Sequence, residues 1–322
     1  MHKNLPAWQL IHQSLQQKLQ VMLLYVLESK GSSPGRQGFM MAVNENGQMC
    51  GSLGGGIMEF KLVELAKKML SQKDPASSLY QQIHDKEAAQ NQSGMICSGE
   101  QTIFLYKLLQ TELQVVESII HAVQSNQNGT LQLTPKGISF SKEMPAQNFF
   151  LSKAGDDFLF IEKLGYKQNL FIIGGGHCSL ALAQLMHTMD FYIRLYDDRA
   201  ELNTMAQNHF VHEKIVLDNY GQLEQCIPSG ENNYVVVMTV GYRTDDIAVR
   251  ALLYKQFAFF GILGSKKKIE KMFADYRVEG IGEAILKSIH APVGVAIKSQ
   301  TPEEIAVSIA ADIIQVKNLK LI

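Results

Sequence analysis

The clearest candidate for a ligand-binding motif is a glycine turn near the middle of the chain. An apolar stretch, Asn169-Leu-Phe-Ile-Ile, runs into Gly174-Gly175-Gly176 and then into a segment with helical periodicity. Gly174 permits a tight turn, and Gly176 lets the backbone approach a phosphate at the positive end of a helix. Asp197 follows about 20 residues later, where an acidic side chain binds a ribose hydroxyl. The pattern predicts a dinucleotide-type turn, although such a turn also occurs as plain structure without a bound dinucleotide.

Two residues that follow this turn have alternative interpretations. His177 is either a polar group at the mouth of a ligand site or an ordinary loop histidine. Ser179 stands at the third position of the G-x-G-x-x-G pattern, where glycine is usual. Because serine is small, it still allows a helix and a strand to pack closely.

A second glycine cluster, Gly54, Gly55 and Gly56, also runs directly into a helical segment. Unblocked N–H groups together with the helix dipole form a natural anion site. A plain glycine-rich turn is the alternative interpretation. Glu59 lies in the first turn of the predicted helix, where it either favours the helix dipole or helps to position a ligand.

Arg36 and Cys97 are the other candidates in the first half. Arg36 lies in the loop that begins at Gly31, and its planar guanidinium suits phosphate or carboxylate, although a lone loop arginine is usually solvated. Cys97 lies among small residues ahead of a strand, either as a thiolate or soft-metal ligand or as a buried inert thiol. The four cysteines form no CxxC unit, which predicts reduced thiols in the cytoplasm and no dedicated zinc site.

Two polar segments in the second half also follow predicted strands. One contains Arg243 and ends at Asp246, and the other contains Ser265. Ligands of parallel α/β sheets collect at the carboxyl ends of the strands. Arg243 and Ser265 are therefore candidate ligand-binding residues.

The predicted strands and helices that position these residues indicate an α/β chain of two domains. In the second half, strands alternate with helices, which indicates βαβ units and a Rossmann-type, doubly wound parallel sheet. The first half is mixed and β-rich, with a short apolar strand at Val21–Leu27. We place the boundary near Gly165, giving domains of residues 1–165 and 166–322. Predicted strands of the second half are Leu170–Ile173, Tyr192–Tyr196, Tyr234–Thr239 and Phe259–Leu263.

The composition excludes several classes of partner. The chain has 322 residues, 46% of them hydrophobic, and a net charge of −1. Without a positive field, nucleic acid is not an expected partner. The early apolar stretch is far shorter than the roughly 20 residues of a membrane helix, and the N-terminus has no signal design, so we expect a cytoplasmic protein without a membrane partner.

Taken in chain order, seven motifs resemble those of the XdhC/CoxI family, the accessory proteins of xanthine dehydrogenase and related molybdenum hydroxylases. They span residues 21–109 and 168–316. The motifs are GSSPGRQGFMMAV, GSLGGGIMEF, GMICSGEQTIFL, LFIIGGGHCSLALAQL with YDDR, VVVMTVGYRTDD, GILGSKKK and HAPVGVAIKSQTPEEIAVSIAADII.

This resemblance implies a β-rich XdhC domain joined to a Rossmann domain, in a homodimer. Family members bind the molybdenum cofactor (molybdopterin), protect it during sulfuration and deliver it to an apo molybdenum hydroxylase. A cysteine desulfurase and a cofactor nucleotidyltransferase are the other implied partners. The two glycine clusters and Arg36 would then hold the anionic cofactor, with Cys97 as a molybdenum contact. No acid–base pair or nucleophilic triad is apparent, as expected of a carrier.

The sequence also departs from the family pattern and leaves rival functions open. Ser98 stands where the family usually has glycine, and the late Gly-Leu-Asp-Ile-Gly stretch is Gly294-Val-Ala-Ile-Lys here, without the aspartate. An NAD(P)-dependent oxidoreductase is the main alternative, because it would also use Gly174, Gly176 and Asp197. A scaffold that only docks the target enzyme is the third possibility.

Overall fold

The computed structural model describes residues 4–72, 77–83, 99–155 and 157–319. Packing divides the chain into two compact units, His2–Gly165 and Tyr166–Ile322. Within the described residues, the first unit contains two antiparallel sheets and the second a parallel sheet of five strands. The predicted fold class is confirmed.

The described elements of the N-terminal unit are α1 (Leu5–Gln16), β1 (Val21–Gly31), β2 (Met40–Asn44), β3 (Met49–Gly51), α2 (Gly56–Leu70), β4 (Ser78–Ile83), β5 (Gly99–Lys107), α3 (Leu113–Gln124), β6 (Gly129–Thr134), β7 (Gly137–Ser141), β8 (Phe149–Ala154) and β9 (Asp157–Leu164). Strands β1 to β5 form one sheet in the order β3-β2-β1-β5-β4, and β6 to β9 form the other in the order β7-β6-β9-β8.

Burial on both faces of the central strand β1 explains why its first seven residues, Val21–Leu27, are continuously apolar. Its side chains alternate between two buried clusters, so both faces of the strand are covered. Leu23 belongs to the cluster that contains Trp8 of α1, and Leu24 belongs to the cluster that contains Leu62 of α2. The ladder between β1 and β5 ends with Gly31 opposite Gly99, which brings the loop after β1 beside the start of β5.

The described elements of the C-terminal unit are β10 (Gln168–Ile173), α4 (His177–Met186), β11 (Phe191–Asp197), α5 (Asn203–Gln207), β12 (Glu213–Val216), α6 (Leu223–Cys226), β13 (Gly230–Val237), α7 (Tyr242–Leu252), β14 (Phe257–Ile262), α8 (Lys266–Val278), α9 (Glu283–Lys287) and α10 (Pro302–Leu319).

The parallel sheet has the strand order β12-β11-β10-β13-β14. The chain therefore moves outward from β10 in one direction and then returns to add β13 on the other side. This reversal makes the carboxyl ends of β10 and β13 a topological switch point, where ligands of such sheets bind. Leu182 of α4 and Ile309 of α10 pack on one face, and Leu252 of α7 and Met272 of α8 pack on the other.

Two edge strands were not predicted. β4 lies in a segment whose sequence is polar and without clear periodicity, and β12 lies between the predicted strands Tyr192–Tyr196 and Tyr234–Thr239. An edge strand has one neighbour and is only partly buried, so its sequence need not carry a strong apolar pattern. The residues of β12 alternate between half-buried and exposed, which leaves little signal in its sequence, Glu-Lys-Ile-Val.

The start of α10 is a capping box formed by Thr301 and Glu304. The Thr301 hydroxyl accepts a hydrogen bond from the Glu304 N–H at 3.3 Å, and the Glu304 carboxylate accepts one from the Thr301 N–H, also at 3.3 Å. These reciprocal bonds satisfy N–H groups that have no intrahelical partner. Among the described residues no helix, α10 included, has the length and apolar character needed to cross a membrane.

Candidate functional site

The turn after β10 is built on a glycine that the backbone requires. Gly174 has φ +104°, and a Cβ there would lie 2.4 Å from the Met238 carbonyl oxygen. The Gly174 N–H donates to the Tyr196 carbonyl at 2.7 Å, which joins the turn to the end of β11. Gly176 differs, because its φ is −72° and, its chain neighbours aside, no atom of the described residues lies within 4 Å of an added Cβ. The turn is thus fixed at its first glycine and faces open space at its third.

The two residues left open by the sequence take different positions on α4. Ser179 is buried, and its hydroxyl donates to the Gly174 carbonyl. The serine therefore replaces the usual third glycine without separating helix from strand, and it ties α4 to the turn. His177 is the exposed first residue of α4, at the helix end where a polar group would meet a ligand.

Asp197 lies beside the turn, as predicted, but its carboxylate points inward. Its Oδ2 accepts the Gly175 N–H at 2.6 Å, and Arg199 donates through Nε to Oδ1 and through Nη2 to Oδ2, both at 2.8 Å. The Asp197 side chain has no exposed surface, whereas that of Arg199 is 39% exposed. Asp197 therefore positions the glycine turn, and a ribose hydroxyl would reach it only by displacing Arg199.

The pKa of Asp197 predicts how this contact responds to acid. Burial alone would raise the pKa of the carboxyl, but the hydrogen bonds from Arg199 and Gly175 hold it below its ordinary value. A lowered folded-state pKa stabilises the fold above the unfolded-state value of about 4, and this contribution disappears as the pH falls through the folded-state pKa. We expect Asp197→Asn to melt below the wild type at pH 7, with the difference shrinking below about pH 4. Melting curves across this range test it, and a pH-independent difference would contradict it.

A buried ion pair at the same edge of the sheet was not predicted. Asp245 is fully buried, and its Oδ1 accepts hydrogen bonds from the Thr239 N–H at 2.9 Å and the Thr239 hydroxyl at 2.6 Å. The Lys268 ammonium pairs with Asp245 Oδ2 and also donates to the Leu263 carbonyl at 3.1 Å. The pair joins α7 to α8, and its hydrogen bonds to Thr239 and to the Leu263 carbonyl hold the loops after β13 and β14 beside it. A Cβ on Gly174 would lie 2.9 Å from Thr239 Cα. This ion pair therefore lies next to the glycine turn.

Arg243 and Ser265 flank this ion pair. Arg243 is exposed in the first turn of α7. Ser265 is the N-cap of α8, and its hydroxyl accepts a hydrogen bond from the Lys268 N–H at 3.3 Å. Both follow the carboxyl ends of parallel strands, as predicted. The six candidates of the C-terminal unit thus lie along one edge of its sheet: Gly174, Gly176, His177, Asp197, Arg243 and Ser265.

The N-terminal glycine cluster already binds a carboxylate of the chain itself. Glu59 Oε2 accepts the Leu53 N–H and the Ser52 hydroxyl, both at 2.8 Å, and the Gly55 N–H at 3.0 Å. The predicted anion site is therefore partly used by Glu59, which shapes the loop. Gly56 is the exposed first residue of α2, so the first-turn N–H groups, which have no intrahelical partner, lie at an exposed helix end.

Three predicted motifs of the N-terminal unit meet at one junction. A Cβ on Gly35 would lie 2.0 Å from the Leu53 carbonyl, and a Cβ on Gly54 would lie 2.4 Å from the Gly35 nitrogen. A Cβ on Gly99 would lie 2.6 Å from the Ser33 nitrogen. The loops after β1 and β3 and the start of β5 therefore pack backbone to backbone, which only glycine permits here. We call this contact the loop junction, defined by Gly35, Gly54 and Gly99.

Arg36 and Cys97 are the last two candidates. Arg36 follows Gly35 and is exposed, with its Nη1 donating to the Gly31 carbonyl at 3.0 Å. Cys97 lies outside the described residues, two positions before Gly99 in the sequence. Within the described ranges, no three His, Cys, Asp or Glu side chains are grouped as metal ligands.

Comparison with known proteins gives matches along most of the chain. The model of the XdhC and CoxI family matches residues 14–81, and that of the XdhC Rossmann domain matches residues 170–313. The uncharacterized protein YqeB of Escherichia coli is 24% identical over 297 residues, 91% of this chain and 43% of its own length. A Bacillus subtilis protein named as a probable xanthine dehydrogenase subunit is 27% identical over 161 residues, 49% of this chain and 46% of its own length. The chain spans less than half the length of these two relatives.

One solved structure resembles nearly the whole chain. A xanthine dehydrogenase of Bacillus halodurans superimposes with a TM-score of 0.68 over 98% of this chain and 96% of that one, at 23% identity. At this identity the similarity concerns the fold. The two family models match a part of each unit, in the order expected along the chain, and the chain belongs to the XdhC and CoxI family.

Proposed function

We propose that this protein is an accessory protein of a xanthine dehydrogenase-type molybdenum hydroxylase. It would bind the molybdenum cofactor, protect it while a cysteine desulfurase supplies the terminal sulfur, and deliver it to the apo-enzyme. We include in the proposal that it acts as a cytoplasmic homodimer. Family membership supports the accessory role, as does the Bacillus subtilis relative, whose name links it to a xanthine dehydrogenase.

The loop junction is the observation that supports cofactor binding most directly. It brings three glycine-containing segments into backbone contact, and it lies beside the exposed Arg36. Molybdopterin carries a phosphate and an anionic dithiolene that holds the metal. The first-turn N–H groups of α2 and the Arg36 guanidinium would bind these anionic groups. Glu59, held by three hydrogen bonds, would keep the loop in shape without itself contacting the cofactor.

The oxidoreductase alternative is less well supported. In a dinucleotide site, the acidic residue at the end of the second strand binds the ribose, yet both Asp197 oxygens are engaged by Gly175 and Arg199. The open space at Gly176 still allows a phosphate to approach α4. We therefore keep nucleotide binding, with NAD(P) as one candidate, as a property to be tested separately from cofactor delivery.

The proposal is tested by identifying what the protein retains. The chain is produced in a host that makes molybdenum cofactor, purified without oxygen, and assayed for molybdenum and for the oxidised, fluorescent pterin. We expect both in a fixed ratio, and we expect the loaded protein to activate an apo molybdenum hydroxylase. Mass spectrometry of the released ligands would detect a nucleotide in the same sample. Absence of both molybdenum and pterin would contradict the proposed function.

Cys97→Ser is the sharpest single-residue test of this function. A thiolate is a good ligand for a soft, sulfur-rich molybdenum centre, whereas a serine hydroxyl is a poor one. We expect the variant to melt like the wild type but to retain less molybdenum and to activate less hydroxylase. The matched controls are serine substitutions at Cys50, Cys178 and Cys226, which should leave retention unchanged. If Cys97→Ser retains cofactor normally and only lowers the melting temperature, Cys97 is a packing residue.

A further inference from the structure

One buried amide in the N-terminal unit has an acceptor without a donor. Gln82 lies on β4 and is only 1% exposed. Its Oε1 is buried and accepts no hydrogen bond from any residue that the structure describes. Most buried polar side-chain atoms in folded proteins have a hydrogen-bond partner, so each exception calls for a physical reason.

The register of the sheet places Gln82 next to the loop junction. Gln82 lies directly opposite Gln101 in the antiparallel pair of β4 and β5, so the two amides share a face of the sheet. The Gln101 Nε2 group donates to the Gly35 carbonyl at 2.8 Å. On the same face, Ser29 lies opposite Gln101, and its hydroxyl accepts the Gln37 N–H at 3.2 Å. The loop that carries Arg36 is therefore attached to this face through Gln101 and Ser29, and Gln82 is the cross-strand neighbour of Gln101.

The hydrogen-bonding groups of the molybdenum cofactor indicate which part of it would pair with Gln82. An amide oxygen only accepts hydrogen bonds. The phosphate oxygens, the dithiolene sulfurs and the oxo or sulfido groups on molybdenum are acceptors as well, so none of them can pair with it. The N–H groups of the pterin heterocycle are donors. A donor placed there would remove the penalty of an unsatisfied buried acceptor, which adds to the binding free energy.

We propose that Gln82 recognises the heterocycle of the bound cofactor by accepting a hydrogen bond from a ring or amino N–H. This inference rests on the proposed function and assigns different parts of the cofactor to different residues of the same site. Arg36 and the first turn of α2 bind the anionic end of the cofactor, and Gln82 selects a ligand with a hydrogen-bond donor at the other end. A phosphate or a metal thiolate without the ring system would not use Gln82.

Gln82→Leu tests this role with two readouts that move in opposite directions. Leucine fills a similar volume and removes the unsatisfied oxygen, so the free protein should melt about 3 °C higher. The same change removes the acceptor for the ring, so affinity for the cofactor should fall about tenfold. Affinity is measured by titrating anaerobic protein with molybdenum cofactor released from a purified molybdoenzyme, followed by filtration and pterin fluorescence.

Gln168→Leu is the matched control, because Gln168 is another glutamine with a buried Oε1 that lacks a partner among the described residues, and it lies on β10 of the other unit. It should also raise the melting temperature but leave cofactor affinity unchanged. Unchanged affinity of Gln82→Leu, or a lower melting temperature of its free form, would overturn the assignment of Gln82. Failure of the wild type to bind the cofactor would overturn the proposed function as well, so the two failures are distinguishable.

Discussion

Lys268→Met is expected to destabilise the C-terminal unit by about 3 kcal/mol, because breaking a buried ion pair leaves its partner charged and uncompensated. Asp245 is fully buried, and its other acceptor oxygen is already engaged by Thr239. Methionine is unbranched like lysine and only one atom shorter, but it cannot donate to the carboxylate or to the Leu263 carbonyl. The loss therefore exceeds that expected for an exposed ion pair, which contributes only about 0–1 kcal/mol.

Equilibrium unfolding in urea measures this effect, with Lys267→Met as the control. Lys267 is exposed and adjacent in the sequence, so its replacement should change stability by less than about 0.5 kcal/mol. The double variant Asp245→Asn/Lys268→Met should recover part of the loss, because it removes the uncompensated charge. Equal effects of the two lysine substitutions would show that the ion pair does not carry the stability of this edge.

The sequence predicts which loops lie at the carboxyl edge of the parallel sheet, but it does not predict which side chains pair there. Strand–helix alternation places the loops after β10, β11, β13 and β14 at the carboxyl ends of the sheet, and the structure confirms that parallel arrangement. However, two adjacent aspartates lie near the start of α7 and three consecutive lysines begin α8, and no local pattern distinguishes Asp245 and Lys268 from their neighbours. Their pairing depends on the lateral distance between β13 and β14, which is a tertiary property.

Asp197 shows the same limit for a residue that was predicted. Its type and its distance from the glycine turn are readable in the sequence, and the structure places it against Gly175. The direction of the carboxylate depends on Arg199, which follows two residues later and engages both oxygens. A motif therefore predicts which residue lies at the turn, whereas competition among nearby donors decides which partner it binds.

The N-terminal unit gives a complementary case. The glycine-rich segments are conspicuous in the sequence, and each was interpreted separately as a possible ligand loop. The sequence does not indicate that Gly35 and Gly54 require glycine because they pack against each other. Nor does it indicate that Glu59 supplies a carboxylate to the loop that precedes it. The contact between Gly35 and Gly54 depends on the pairing of β1 with β2 and of β2 with β3, which is a tertiary property, whereas the Glu59 contact depends on the path of the loop that precedes α2.

Gly174→Ala and Gly176→Ala are expected to destabilise the protein to very different degrees, although they add the same methyl group to the same turn. At Gly174, alanine would be held at φ +104° with its Cβ 2.4 Å from a backbone carbonyl, and backbone atoms cannot move aside as a flexible side chain can. We expect a loss of about 3 kcal/mol or more for the C-terminal unit. At Gly176, φ is −72° and the Cβ would enter open space, so the expected loss is about 1 kcal/mol or less.

Urea unfolding of the two variants beside the wild type measures this contrast, and circular dichroism establishes whether each variant folds at all. If Gly174→Ala fails to fold while Gly176→Ala unfolds with the wild-type m-value, the first glycine is required by the packing of β10 against the loop after β13. The lack of a side chain at Gly176 then has a different role, because it leaves the N-terminus of α4 accessible to a ligand. Comparable losses in both variants would mean that the space before Gly176 is filled in solution, and the turn would then be a packing element without room for a phosphate.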